Sequence, residues 1–518
     1  MADAIEDVRL FPPIRPKGPH VSRLTIAQLD RAAGVLLGTA AGDALGVPYE
    51  FESRSLGSDE RPMMLGGGLG DFAPGEWSDD TSMAMAIALV AAKGADLTSE
   101  DAIDAIATNF LSWFDGNPPD VGVQTRAVLS AVRRGSASND ERVGSLMRDE
   151  AARFAQTHPR SAGNGALMRT APVALAHLHD RDRLAIATRA VTELTHADPL
   201  AGDSCVLWSE AIRTAVLTGR VDVSTGLDLL PSDRRSRWSQ WLDEATTADP
   251  KTFTPNGFTV TALQAAVAAI MQTPIPDDVP CRHLQHALDT AIRIGNDTDT
   301  VAAIAGGLLG ARWGASAVPW SWRRAVHGWP RQGCSPEDRP SDARDLVRLG
   351  TLAARDGRAD PKGWPTVEDV RYREHVATEV VAHPYDDGVL LGTHATVDHG
   401  ADAVVSMCRV GRRQTCFAGA ADIVESRLID SDDPADNPNL EFVIADTADA
   451  VRGLRAQGRT VLLHCVAGHQ RTPSVAVAYG VLLGHPVAEV QQKVLELLPA
   501  ARGRGLVWDA GSSSIAVI

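Results

Sequence analysis

What most constrains the fold of this chain is a change of hydrophobic texture near residue 357. From about residue 25 to 355, apolar residues recur at spacings of three and four. They lie in Ala- and Gly-rich runs such as Gln28–Leu45, Thr81–Lys93, Asp101–Phe114, Asp182–Leu194, Thr259–Met271 and Thr300–Trp313. That spacing gathers apolar side chains on one face of a helix, whereas a half-buried strand needs strict alternation. After 357 the apolar runs shorten to Gly388–Leu391, Ala403–Met407 and Thr460–His464, alternating with helical patterns at Asn439–Ala456 and Thr472–Leu483. Strands alternating with helices specify an α/β unit with a mainly parallel sheet.

A chain of 518 residues is too long for one hydrophobic core. The texture divides it into an irregular lead-in at 1–24, an all-α domain at 25–355, a linker at 356–370 and an α/β domain at 371–518. Proline marks Gln272–Pro280 and Pro319–Pro340 as loops, and Gly357–Pro365 (GRADPKGWP) as the linker proper.

A net charge of −16 argues against a nucleic-acid backbone or an anionic membrane as the main partner. The cysteines Cys205, Cys281, Cys334, Cys408, Cys416 and Cys465 have no paired C-x-x-C spacing. They suit a reducing compartment rather than a disulfide framework or a zinc site. No signal-peptide pattern opens the chain and no run of about 18 apolar residues follows, so a cytoplasmic protein is expected.

Two acidic stretches each open an apolar small-residue helix: Trp77-Ser78-Asp79-Asp80-Thr81 and Gly295-Asn296-Asp297-Thr298-Asp299-Thr300. Ser, Thr and Asp are good N-caps, which suffices to explain either stretch alone. Adjacent carboxylates at the head of a buried helix repel, however, unless protons or a cation intervene. Two such heads would offer an all-oxygen, carboxylate-rich set of the kind hard divalent ions take.

In chain order, GVLLGTAAGDALGVPYEF (Gly34–Phe51), WSDDTSMA (Trp77–Ala84), GNGALMRTAP (Gly163–Pro172), THADPLA (Thr195–Ala201) and GNDTDTVAAIAGGLLGA (Gly295–Ala311) resemble the ADP-ribosylglycohydrolase family. The resemblance implies an all-α domain binding two Mg²⁺ or Mn²⁺ ions and hydrolysing the bond between C1″ of ADP-ribose and its acceptor. By that resemblance Ser78, Asp79, Asp80, Asp297, Asp299 and Thr300 are the metal ligands, and Glu50 is the acidic residue near the substrate ribose. Gly163, Asn164 and Gly165 would approach the diphosphate, and His196 would lie in the ADP-ribose pocket. The acceptor, a protein side chain or a small molecule, stays open.

In the last third, Val461–His464 runs into Cys465-Val466-Ala467-Gly468-His469-Gln470-Arg471-Thr472. A cysteine separated by five residues from an arginine, on a loop leading into a helix, suits phosphate-ester chemistry. Backbone amides at a helix N-terminus cradle an oxyanion, and the same field favours a thiolate. Arg471 can grip two phosphate oxygens, Gly468 permits the curl, and Thr472 can donate to a departing thiolate. HCxxGxxRT resembles the loop of the dual-specificity and protein-tyrosine phosphatase superfamily. That resemblance implies a phosphorylated substrate, no cofactor and a general acid about thirty residues upstream: Asp433, with Asp432 next. The whole chain thus reads as a bifunctional hydrolase. The alternatives are a binding protein that retains silent pockets, or a coupled enzyme acting on phosphorylated ADP-ribose.

Overall fold

The computed structural model describes residues 24–135, 142–331, 339–360, 364–372, 376–411 and 413–514. Apart from Leu24 the expected lead-in at 1–24 lies outside them, as do Cys334 and residues 361–363 of the expected linker.

All six helical runs form helices, and the longest helices of this body are Ile26–Gly46 and Pro199–Thr218, the latter outside those runs. Helix Ile26–Gly46 starts in a capping box: Gln28 N–H donates to Thr25 Oγ1 at 3.2 Å, and Thr25 N–H donates to Gln28 Oε1 at 2.9 Å. From Ala32 to Gly46 this helix is buried on every side, as is Thr298–Ala311 of helix Thr298–Trp313. The two pack backbone to backbone. A Cβ added at Gly38 would lie 3.0 Å from the carbonyl carbon of Gly306, and one added at Gly42 would lie 3.0 Å from the amide nitrogen of Ala303. Only glycine allows that approach. It brings Asp43, one residue past Gly42, beside the acidic head of the partner helix.

The first body departs from all-α in one place. Pro319–Pro340, expected as a loop, contains helix Trp320–Ala325 and strand β1 (His327–Arg331). β1 pairs antiparallel with β2 (Pro340–Asp342). Burial of Trp320 and Gly328 outweighs the proline signal: a Cβ at Gly328 would collide with the ring of Trp77, so β1 lies flat on that indole.

The second body holds a sheet of β3 (Val381–His383), β4 (Asp386–Thr393), β5 (Ala403–Ser406), β6 (Asp422–Glu425) and β7 (Val461–Cys465). Its order is β3-β4-β7-β5-β6, with β3 antiparallel to β4 and the remaining pairs parallel. The sheet is therefore mixed. Central β7 is buried along its whole length, which is why its sequence is a continuous apolar run rather than an alternating one. It delivers Cys465 opposite Thr393 of β4 and next to the N-terminus of helix Arg471–Leu482.

The two bodies have separate cores that exchange side chains. Trp320 belongs to the core of the sheet body, and Phe442 of helix Leu440–Ala456 to that of the helical body. Arg427 Nε pairs with Asp30 at 3.0 Å, Arg323 Nη2 with Asp446 at 2.8 Å, and Trp320 Nε1 donates to Asp449 at 2.8 Å. The expected linker is also anchored, because Trp364 is buried in the helical core and Thr366 bonds Asp360. A tryptophan inside GRADPKGWP outweighs the flexibility suggested by its glycines and prolines.

Candidate active site

Both acidic helix heads point into one buried cluster. Ligand-type oxygens of Asp43, Asp80 and Asp299 lie within 4.8 Å of one another, and a second group of Glu50, Asp297 and Asp299 meets the same limit. Asp299 is shared, so the two groups adjoin. The sequence reading missed Asp43. It sits in the last turn of helix Ile26–Gly46, within GTAAGDALG, where a lone Asp in an apolar run was the available signal, since a buried carboxylate needs partners. Those partners come from the first acidic stretch: Ser78 N–H donates to Asp43 Oδ1 at 2.9 Å, and the Thr81 N–H and hydroxyl donate to Oδ2 at 3.0 and 2.6 Å.

The other expected residues fall into place with distinct partners. The Ser78 hydroxyl donates to Asp80 Oδ2 at 2.8 Å, and the Thr300 hydroxyl reaches the same oxygen at 3.5 Å. Asp79 accepts from Gly122 N–H at 3.1 Å and belongs to neither group of three. N-capping accounts for part of the first head, where Ser78 Oγ accepts from Asp80 N–H at 3.4 Å. It does not account for the second, because Asp297 makes no side-chain cap. The side-chain amide of Asn164, in the loop expected to bring backbone amides to the diphosphate, donates to Asp297 Oδ2 at 2.7 Å and to the Asn256 carbonyl at 3.1 Å. Gly163 bridges Phe258, pinning this loop to the start of helix Thr259–Gln272.

Burial of this many carboxylates pushes their pKa values up. Asp43 rises to about 6 by burial, against the lowering effect of its three donors. Asp79 rises to about 7 and Glu50 to about 8, by burial first and then by the neighbouring carboxylates, including half-buried Asp120. Asp80 and Asp299 are driven well above the usual carboxylate range by the same causes, and Asp297 is also raised. Three carboxylate oxygens, Glu50 Oε2, Asp80 Oδ1 and Asp299 Oδ1, are buried with no hydrogen-bond partner. Unpartnered acceptors converging in one cavity fit a hard divalent cation, which takes several oxygen ligands and supplies the missing positive charge.

The loop after β7 forms a second, separate constellation. Arg471 is buried, and its Nη1 donates to the carbonyls of Met407 at 2.9 Å and Leu428 at 3.2 Å. Its Nε and the Thr472 hydroxyl have no partner, and Gly468 takes the left-handed conformation at φ 72° that the curl requires. His464 lies between Cys416 Sγ at 3.6 Å and Cys408 Sγ at 3.9 Å, with Nδ1 also 3.3 Å from the Cys465 carbonyl, and burial lowers its pKa to about 4. Asp433, expected as the general acid, makes its hydrogen bonds within its own turn. It is exposed and caps the short turn Pro434–Asp436, accepting from Ala435 N–H at 2.9 Å. Asp432 accepts from Leu506 N–H at 3.1 Å. Upstream of this turn, the charge of Asp430 acts on Arg471.

A buried cluster of carboxylates with open oxygens at the core of a helical body is an arrangement suited to hydrolases built around hard-cation sites. The sequence model of one such family, ADP-ribosylglycohydrolase, matches residues 24–356. The chain belongs to the ADP-ribosylglycohydrolase family. It is 29% identical over 310 residues to ADP-ribosylarginine hydrolase Tri1 of Pseudomonas putida (strain GB-1), covering 58% of this chain and 74% of that protein. It is also 29% identical over 298 residues to the ADP-ribosyl-[dinitrogen reductase] glycohydrolase of Rhodospirillum rubrum, covering 57% and 89%. With ADP-ribosylhydrolase ARH3 of Bos taurus it shares 26% identity over 343 residues, covering 58% and 90%. A solved structure described as an ADP-ribosylglycohydrolase-related protein complex aligns with 64% of this chain and 100% of its own, at TM-score 0.46 and 24% identity. The family match ends at residue 356, so the identification concerns the helical body. No helix among the described residues is long and apolar enough to cross a membrane.

Proposed function

We propose that the helical body hydrolyses an ADP-ribosyl bond and releases ADP-ribose, with divalent cations held by Asp43, Asp80, Asp299, Asp297 and Glu50. Ser78, Asp79 and Thr300 bind directly or shape this set. The observation that carries the reading is the group of buried carboxylate oxygens without partners. Mg²⁺ or Mn²⁺ bound there supplies charge neutralisation to the carboxylates and Lewis acidity to a substrate oxygen. The rest is the chain's own work. Asp43 is held by donors from Ser78 and Thr81, so its carboxylate cannot turn away from the cluster. Asn164 holds Asp297 in the same way. Glu50, buried and without a partner on Oε2, is placed to take a proton from water attacking C1″. The relative from Pseudomonas putida is named for arginine and that from Rhodospirillum rubrum for dinitrogen reductase. Arginine-linked ADP-ribose on a protein is therefore the first linkage to test, ahead of serine- and ester-linked forms.

The experiment is ADP-ribose release from Arg-, Ser- and ester-linked substrates with Mg²⁺, Mn²⁺ or chelator, comparing wild type with Asp43→Asn. Metal-dependent release that falls at least about 100-fold in the variant supports the reading, since removing one charged ligand of a catalytic ion costs several kcal/mol. Release that survives the chelator, or an unaffected variant, overturns it.

A second reading concerns the sheet body, and the open face of Arg471 favours it. With Nη1 held by two carbonyls, the partnerless Nε and the Thr472 hydroxyl remain for an oxyanion above Cys465. We infer a cysteine-dependent phosphate-monoester hydrolase that forms a phospho-cysteine, in which Arg471 grips the phosphate and Thr472 donates to the leaving thiolate. Hydrolysis of para-nitrophenyl phosphate by the full chain should vanish in Cys465→Ser. Retained turnover in that variant excludes the mechanism.

A further inference from the structure

Arg169 is the one feature of the GNGALMRTAP stretch that the proposed chemistry leaves unused, and its surroundings are unusual for an arginine. It is fully buried, yet no carboxylate hydrogen-bonds to it. Its guanidinium lies 4.6 Å from the centre of the Phe110 ring, and Nη1 meets the Met83 sulfur at 3.4 Å. Nε has no partner, and Nη2 donates to the Thr195 hydroxyl at 2.6 Å. Burying a guanidinium on these terms costs several kcal/mol. That cost makes its single strong contact the place to look for its purpose.

The contact continues. Thr195 Oγ1 lies 2.7 Å from His196 Nδ1. A guanidinium N–H can only donate, so the Thr195 oxygen accepts from Arg169 and its hydroxyl proton must go elsewhere. Thr195 is completely buried, and His196 Nδ1 is the only other partner its hydroxyl has among the described residues. If His196 instead carried its proton on Nδ1, the hydroxyl proton of Thr195 would be buried unpaired, which native interiors avoid. Nδ1 is therefore the acceptor, and the imidazole proton sits on Nε2. That nitrogen makes no hydrogen bond to protein among the described residues, and it lies against the glycine loop. A Cβ added at either Gly163 or Gly165 would come within 3.3 Å of it. Burial and the Arg169 charge both keep the ring neutral, at a pKa of about 3, which leaves a single proton to place.

We propose that Arg169 and Thr195 form a buried relay that fixes His196 in its Nε2–H tautomer, making it a dedicated hydrogen-bond donor to a substrate oxygen lying over the Gly163–Gly165 loop. Arg169 and Thr195 are positioning residues: neither touches substrate, and both act through His196. A fixed donor discriminates by charge and lone pairs. It rewards an anionic or carbonyl-type oxygen at that point and penalises a donor such as an amide N–H. The relay extends the ADP-ribosyl hydrolase reading by specifying the protonation state of its pocket.

The direct test is ¹⁵N–¹H correlation NMR of the histidine side chains in the full chain, labelled with ¹⁵N-histidine and without ligand. The His196 resonance is identified by its loss in His196→Asn. The expected result is a proton on Nε2 with Nδ1 unprotonated in wild type and in Thr195→Ser, and a mixed or reversed tautomer in the near-isosteric Thr195→Val. With Mg²⁺ present, calorimetric affinity for ADP-ribose should fall about 5- to 30-fold in Thr195→Val, the size of one buried hydrogen bond misdirected. It should stay within about twofold of wild type in Thr195→Ser. A wild-type proton on Nδ1 would overturn the relay, as would a Thr195→Val protein with unchanged tautomer and affinity. A wild type showing the Nε2–H tautomer but no affinity for ADP-ribose would leave the relay standing and refute the ADP-ribosyl reading instead.

Discussion

The backbone-to-backbone crossing of helices Ile26–Gly46 and Thr298–Trp313 makes a sharp prediction for Gly38→Ala. Alanine is the better helix former by about 1 kcal/mol, so in an isolated helix this change would stabilise. Here the added Cβ would lie 3.0 Å from the Gly306 carbonyl carbon, 3.2 Å from the Gly310 Cα, and deep inside the contact distance of the Gly306 oxygen. Neither neighbour is a side chain that can swing aside, so the helices must part by roughly 1 Å, with an overpacking cost at the upper end of about 1–3 kcal/mol. Subtracting the propensity gain leaves a net loss of about 1–2 kcal/mol, or a fall in Tm of about 2–5 °C. The functional effect should be larger than the stability effect. The same crossing sets Asp43 against Asp80 and Asp299, and a misplacement of about 1 Å in a catalytic constellation can cost about 100-fold in rate. Thermal denaturation with and without Mn²⁺, alongside ADP-ribose release, reads both quantities. Gly135→Ala, where an added Cβ meets nothing, is the control and should change neither by much. Gly38→Ala melting at or above wild type with full turnover would refute the claim that this crossing sets the cluster.

The raised carboxylates make the metal-free protein acid-favouring. Asp43 and Asp79, at about 6 and 7 when folded against about 4 when unfolded, bind protons more tightly in the folded state. Their contribution is therefore most favourable at low pH and is lost as pH rises through those folded values. In chelator, Tm should fall between pH 5 and pH 8, and excess Mg²⁺ or Mn²⁺ should reverse the trend; a chelated Tm that climbs over that range contradicts the assignment. In the sheet body, Asp433→Asn should change phosphatase turnover less than about threefold, because its carboxylate caps an exposed turn, whereas Asp430→Asn should cut it at least about tenfold. The reverse order in a para-nitrophenyl phosphate assay would identify Asp433 as the general acid. Breaking the buried pair between the bodies with Arg427→Ala leaves Asp30 without its cation and should cost about 3–5 kcal/mol. Chemical denaturation followed by tryptophan fluorescence should record that loss, and a change under 1 kcal/mol would mean the interface does not couple the bodies.

How far the sequence reached depends on whether a feature is local. The helical runs, the strand–helix alternation after 357 and both acidic heads were readable because periodicity and capping chemistry are properties of contiguous residues. The Cys465–Thr472 loop was readable for the same reason, since strand, curl and helix start lie within a dozen residues. Asp43 was not, because nothing adjacent to it in GTAAGDALG signals a partner. Its donors come from Ser78 and Thr81, and its neighbour Asp299 arrives only through the glycine crossing. Nothing beside Asn164 in the sequence signals that its side chain holds Asp297, a residue 133 positions away. Asp433 fits the spacing of a general acid, but spacing along a loop does not fix the direction of a side chain, and only the structure shows that its carboxylate accepts from Ala435 N–H. The anchored Trp364 and the β1–β2 hairpin were masked by proline and glycine, which report backbone preference and not what a neighbouring tryptophan can bury. The sequence by itself thus determined the elements and the kind of chemistry each head can carry. The tertiary structure decided which carboxylates meet, which amides are already engaged, and that the two bodies share tryptophan, arginine and aspartate across one interface, because those outcomes depend on burial between residues that the chain keeps far apart.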